Sequence, residues 1–218
     1  MCGRAKLSAD PEELAEIFDL IEEPALAPHW NIAPTQPMAI VREPRKLEFA
    51  RFGFVPSFAK SPKEGTRYIN ARAETVQKLA VFREAFKSRR CLVVVDGFYE
   101  WKRDGKIKQP YLIEQPDGKP FALAGLWSTW TSRETGEVIE SCTVITKAAT
   151  GVVATMHDRE PVTIAKAEWA RWLAKDAEVA DLLEAPSIEL VAKAVTSHVN
   201  SAANDDEECV REDPRPVL

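Results

Sequence analysis

Three features of the sequence predict an α+β fold built on a curled, barrel-like antiparallel β-sheet with flanking helices. Strand-like segments between residues 38 and 146 succeed one another through tight-turn signals at Asp104-Gly105, Asp117-Gly118 and Glu134-Thr135-Gly136. Helical periodicity is confined to the two ends and to one insertion in the middle. There is no internal repeat and no linker, so residues 1–204 read as a single domain, with 205–218 as an acidic C-terminal tail.

Taken in order, Asp10 stands as N-cap, Pro11 at the first helical position and Glu13 at the third, followed by Leu14, Ile17, Phe18 and Ile21 at helical spacing. A Pro-rich loop over 23–37 holds Trp30-Asn31-Ile32-Ala33-Pro34-Thr35. Strands over 38–42 and 47–55 turn at Pro44, and a polar loop over 57–67 carries Pro62 and Gly65. Residues 74–86 read as a helix with Val76, Leu79, Ala80, Val81 and Phe86 as its apolar face. The continuous apolar run 91–95 predicts a strand buried on both sides, resuming after Asp96-Gly97 through 98–102. Strands over 107–114, 121–130 and 138–146 follow. A helix over 165–184 presents Trp169, Trp172 and Leu173 to the core, and a late strand covers 190–195.

At 218 residues the chain can bury a substantial core, and its 45% hydrophobic and 29% charged composition is that of a globular protein. No apolar run approaches the length of a membrane-crossing helix, about 18 residues. The start carries Arg4, Lys6, Asp10, Glu12 and Glu13 and no apolar segment, so it is not read as a secretory signal. Cys2, Cys91, Cys142 and Cys209 are scattered without metal-ligand spacing; a reducing, cytoplasmic setting with no disulfide framework, no metal and no cofactor is expected. The net charge of −5 conceals an asymmetry. Residues 42–108 hold 17 Lys plus Arg against 8 Asp plus Glu, a net of +9, whereas 205–218 has a net of −4. A basic middle beside an acidic tail fits a protein that holds a polyanion on one face.

Four stretches combine polar groups that a core does not require. In Met1-Cys2-Gly3-Arg4 the small second residue permits removal of the initiator methionine. Cys2 would then carry an α-amine and a thiol on adjacent carbons, with ordinary pKa values of about 7.7–8.0 and about 8.5. Such a 1,2-aminothiol condenses with an aldehyde to an imine, and the thiol then closes a five-membered thiazolidine. A frayed terminus is the competing structural explanation. Asn70-Ala71-Arg72-Ala73-Glu74-Thr75 reads either as a site segment or as a helix cap. Asp96-Gly97-Phe98-Tyr99-Glu100-Trp101 sets a carboxylate between aromatics after an apolar strand, where a raised pKa would suit a general acid. An ordinary strand-edge Glu is the alternative. His157, in Thr155-Met156-His157-Asp158-Arg159-Glu160-Pro161, is one of three histidines, and most loop histidines are inert.

Together with Trp30 to Thr35 and with Val199-Asn200 and Asn204, these blocks resemble, in order and over nearly the whole chain, the SOS response-associated peptidase (SRAP) family of abasic-site processing proteins. The resemblance implies a protein that crosslinks itself covalently to abasic sites in single-stranded DNA and shields them, after Met1 is removed autocatalytically or by an aminopeptidase. It implies Cys2 as nucleophile, Asn70 orienting the Cys2 terminus, Glu100 as general acid/base and His157 assisting proton transfer. Arg4, Arg72 and Arg159 would hold backbone phosphates, with Glu160 placing a carboxylate beside Arg159. Single-strand binding also calls for stacking surfaces, for which Trp101 and Phe58 are candidates; Trp30, Trp127, Trp130, Trp169 and Trp172 are assigned to the core. The expected partner is single-stranded DNA containing abasic sites, with no membrane, bound by a monomer that is nucleoid-associated when engaged. Two other classes compete. A class II glutamine amidotransferase also begins Met-Cys-Gly but commonly builds its oxyanion hole on Asn-Gly, a dipeptide lacking here. A non-catalytic single-strand binder would need only the basic residues.

Overall fold

The computed structural model describes residues 2–214 other than Asp176. Its elements in chain order are β1 (Ala5–Leu7), α1 (Pro11–Ile17), β2 (His29–Ile32), β3 (Pro37–Glu43), β4 (Lys46–Phe52), β5 (Asn70–Arg72), α2 (Arg83–Ser88), β6 (Arg90–Val95), β7 (Gly97–Asp104), β8 (Ile107–Glu114), β9 (Phe121–Thr131), β10 (Val138–Ala148), β11 (Arg159–Pro161), β12 (Thr163–Ile164), α3 (Trp169–Leu173) and β13 (Val191–Ala194).

Five of these close a barrel in the order β4, β3, β6, β9, β10. Four seams are antiparallel, as the hairpin signals predict. The fifth, which joins β10 to β4 through Cys142 opposite Phe52, is parallel. The expectation of an all-antiparallel sheet is corrected at this seam: a ring of five strands cannot alternate direction all the way round, so one neighbouring pair must run the same way. All six residues of β6 are buried, and α2 and α3 pack against it. Burial of each of Leu92, Val93, Val94 and Val95 contributes about 1.5–3 kcal/mol before entropy is counted. At Gly125 of β9 a Cβ would stand 2.6 Å from Val93 Cγ2 and 2.9 Å from Cys91 Sγ, so the barrel closes here only over a glycine.

The second sheet is antiparallel in the order β13, β8, β7, β1, β2. The hairpin expected at Asp104-Gly105 is present, with Asp104 opposite Ile107 and Gly105 at φ 56°. The β1–β7 pairing runs through Ala5 opposite Phe98 and Lys6 opposite Gly97, with a further bond from Tyr99 N–H to the Arg4 carbonyl. β7 therefore projects beyond the strand β1, and the N-terminal residues lie along this projecting part.

Several local expectations are corrected. Asp10 precedes α1 in an extended conformation but makes no capping bond through its side chain; Pro11, Glu12 and Glu13 in the first turn supply the start signal. The helix expected over 74–86 is α2, Arg83–Ser88, with turns before it. The helix expected over 165–184 is likewise broken, with α-helix only at Trp169–Leu173. In both, the apolar residues reach the core from short turns, so burial overrides helical periodicity. The Pro-rich loop conceals β2, whose Asn31 is fully buried.

The segment expected as an acidic tail is packed through residue 214. Asp205 Oδ1 accepts from the Trp30 and Asn31 backbone N–H groups at 2.6 and 2.9 Å, and its Oδ2 meets His29 Nδ1 at 2.7 Å. Cys209 is buried, and Val195 bridges Glu212. Residues 215–218 lie outside the described residues. Truncation after residue 204 should lower Tm by about 6–12 °C, because buried donors lose their acceptors at about 1–3 kcal/mol each. Thermal unfolding checks this; an unchanged Tm would make 205–214 a passive appendage.

Candidate active site

The site forms where β10 gathers short strands from distant parts of the chain. β5 runs parallel to it with Asn70 opposite Val144, and β11 runs antiparallel with Arg159 opposite Ala148. This brings Asn70 and the loop holding His157 to the projecting part of β7. Asn70 Nδ2 donates to the Cys2 carbonyl at 2.9 Å. Its Oδ1 is buried and makes no hydrogen bond among the described residues. A buried acceptor left open beside a reactive terminus is a vacancy for a donor, and the Cys2 amine and a bound hydroxyl are both of that kind.

Glu100 is 2% exposed, and burial raises its carboxyl pKa, with the charge of His157 acting in the opposite direction. This is the environment the aromatic flanks predict, and it removes the reading of a water-facing strand-edge Glu. Glu100, Trp101, Arg103, Lys108, His157 and Asn200 line one cavity of about 470 Å³. His157 Nδ1 accepts from the Arg159 backbone N–H at 2.9 Å, which assigns the proton of the neutral ring to Nε2. Asp158 Oδ1 lies 2.9 Å from the same Nδ1 and receives its proton when the ring is charged.

Cys2 is 1% exposed. Burial, reinforced by the Glu100 charge, pushes its thiol far above the ordinary range, which corrects the expectation of an unperturbed thiol. Beside Glu100 the sulfur is held as S–H.

The arginines divide. Arg4 Nη1 donates to Asn31 Oδ1 and to the Val199 carbonyl, each at 2.8 Å, and Nη2 donates to the Asn200 carbonyl at 3.3 Å. Its guanidinium also lies 5.9 Å from the Trp101 ring centre. The expected phosphate role of Arg4 is corrected to that of a tether, because those donors hold the C-terminal turn onto the site. Asn31 completes the tether, its Nδ2 donating to Ser201 and Asn204 carbonyls at 2.9 and 2.7 Å. Arg159 forks onto both oxygens of Glu74 and also donates to the Thr146 carbonyl, so its expected freedom for a phosphate is corrected as well. Glu160, expected beside Arg159, points to the opposite face and accepts from Thr150 and Ser187. Arg72 is exposed on β5.

Trp101 is half-buried, its Nε1 donating to Asn200 Oδ1 at 2.7 Å, and Phe58 is 65% exposed. Trp130 and Trp172 are core residues, whereas Trp30, Trp127 and Trp169 are only partly covered, under Lys6, Arg42 and Lys166 respectively. Sequence reasoning missed Arg103 and Lys108. The signal was present: alternation from Trp101 and the turn at Asp104-Gly105 set them opposite one another. One cluster of metal-ligand type, His198, Asp206 and Cys209, has its ligand atoms within 4.8 Å. Those atoms already bind one another and the chain, with His198 Nε2 3.0 Å from Asp206 Oδ1 and Cys209 Sγ reaching the Asn204 carbonyl.

Comparison with known proteins decides the family. The model of the SOS response associated peptidase (SRAP) family matches residues 1–202. The chain belongs to the SRAP family. This SRAP chain is 34% identical over 222 residues to the abasic site processing protein YoqW of Bacillus subtilis, covering 96% of this chain and 99% of that one. It is 31% identical over 183 residues to the abasic site processing protein YedK of Escherichia coli, covering 78% and 80%. A solved structure from Bacteroides thetaiotaomicron superposes with TM-score 0.84 at 23% identity over 96% of this chain and 99% of that one, which shows the SRAP fold. Among the described residues no helix is long and apolar enough to cross a membrane.

Proposed function

We propose that this SRAP protein processes abasic sites in single-stranded DNA by forming a thiazolidine between Cys2, freed of Met1, and the open-ring aldehyde of the lesion. The reading is carried by one observation: Asn70 holds the Cys2 carbonyl at 2.9 Å at the place where Glu100, buried and raised in pKa, shares a cavity with His157. The named activity of the relatives, abasic site processing, agrees with it.

The chemistry follows from the environment of each group. An abasic sugar is mostly a closed hemiacetal, and an acid/base pair is needed to move its protons during ring opening; Glu100 and His157 supply it. The neutral α-amine, with its ordinary pKa of about 7.7–8.0, attacks C1′ first. Glu100 in its acid form protonates the departing hydroxyl, and water leaves to give the imine. The Cys2 sulfur then adds to the same carbon. Its proton passes to the Glu100 carboxylate as the C–S bond forms, and nitrogen keeps the electron pair released from the C=N bond. The ring forms with the loss of one water in all. A thiol held this firmly protonated would be inert in an intermolecular reaction. Here it is tethered to the imine it attacks, and effective molarities of about 10⁵ M or more for such geometry compensate. Without the imine, the sugar lacks the activation needed for β-elimination, so the strand is shielded.

Intact mass after mixing with an abasic single-stranded oligonucleotide tests the reading. The expected product is protein lacking Met1 plus oligonucleotide minus one water. A crosslinking-competent preparation that retains Met1 in full would overturn it, since Cys2 would then offer no free amine.

A further inference from the structure

We infer that Arg103 and Lys108, on the β7–β8 hairpin, form a phosphate subsite that grips a phosphodiester of the strand beside the sugar held at Glu100. The inference rests on the abasic-site reading for the identity of the anion, and on the hairpin geometry for the site itself.

Arg103 and Lys108 are partners in the β7–β8 register, directly opposite one another on adjacent strands. Like charges in that position repel and cost stability, so a sheet with no use for them gains by replacing one. Among the described residues neither makes an ion pair, whereas Arg4 and Arg159 are engaged with protein groups. Both line the cavity that holds Glu100 and His157, with Trp101 between them and the acid. Register and alternation set Trp101, Arg103 and Lys108 on one face of the hairpin. An aromatic plane followed by two converging cations is the pattern that stacks a base and neutralises its phosphate. A single phosphate between the two cations would turn their repulsion into a shared attraction.

Three measurements test this on the full-length protein with Met1 removed: affinity for undamaged single-stranded DNA across a salt series, the crosslinking rate at saturating abasic DNA, and Tm without DNA. The Arg103→Gln/Lys108→Gln double variant should reduce the log–log salt slope by about 1.4, from about 0.7 for each phosphate contact, with equal loss on every sequence. The crosslinking rate at saturation should stay within about twofold, because these residues bind phosphate and leave the proton transfers to Glu100 and His157. Lys108→Gln alone should raise Tm by roughly 1–2 °C by relieving the repulsion. An Arg103→Glu/Lys108→Glu variant should weaken binding further still. An unchanged salt slope in the double variant would overturn the subsite, as would a fall in Tm with binding intact. Inorganic phosphate at millimolar concentration distinguishes a free-phosphate site: if it raises wild-type Tm and competes with DNA only when both cations are present, the pair is a general phosphate site. If only DNA engages it, the site requires the polymer. Failure of the abasic-site reading is separately visible, as absence of the crosslink in wild type while the salt slope on undamaged DNA still depends on the pair.

Discussion

The Cys2→Ser protein, with Met1 removed, should lose the heat-stable crosslink to abasic DNA while retaining affinity for undamaged single strands. The serine amine still forms an imine with the aldehyde, so borohydride should trap an adduct. The stable ring needs sulfur. The Cys2 thiol, although raised in pKa by its burial, remains a far better acid and nucleophile than a serine hydroxyl. The substitution is nearly isosteric at a position 1% exposed, so the cost to folding is limited to placing a more polar atom there, about 1–3 kcal/mol if the hydroxyl finds no partner. Denaturing gels with and without borohydride separate the two adducts. An undiminished heat-stable crosslink from Cys2→Ser would falsify the thiazolidine.

Glu100→Gln should slow crosslinking by about 10²–10⁴-fold with little change in DNA affinity, the range typical of a general acid/base group. The same substitution should raise Tm at neutral pH. Burial holds the folded-state pKa of Glu100 above its unfolded value. Its stabilising contribution is therefore complete below the unfolded pKa, about 4.3, and is lost as pH rises through the folded value. Gln carries no such penalty, so its Tm advantage over wild type should be absent near pH 4, grow as pH rises, and level off above the raised pKa. In the wild type, the rate of the step that uses the Glu100 acid should fall as pH climbs past that value, and this limb should vanish in Glu100→Gln. A stable, fully active Glu100→Gln protein would return Glu100 to a structural part. A variant that loses rate and also loses Tm at pH 7 would mean that the carboxylate is held by partners stronger than its burial cost.

Turn chemistry and period-two alternation made the strands and the β7–β8 hairpin legible, because those signals are local: Asp104-Gly105 dictates its own reversal. The helices were overextended. At 74–86 and 165–184 the apolar spacing satisfies a helix, but the segments are short covers for the barrel, and packing rather than propensity sets their backbone. The parallel β4–β10 seam joins strands remote in sequence and leaves no local mark.

The site divides along the same line. By itself the sequence determined which chemistry the chain can offer: an aminothiol at Cys2 once Met1 is gone, a carboxylate set among aromatics at Glu100, and the amide and imidazole of Asn70 and His157. Those are properties of residue type and immediate neighbours. Tertiary structure decided which groups meet and in what state. It held the Cys2 thiol protonated by burying it beside Glu100. It also joined Arg159 to Glu74 across 85 residues and Arg4 to Val199 across 195, leaving Arg103 and Lys108 facing one another at the cavity. Charge count along a chain cannot separate a phosphate ligand from a structural tether. That distinction depends on which acceptors folding brings within hydrogen-bond reach, and long-range β pairing sets those distances.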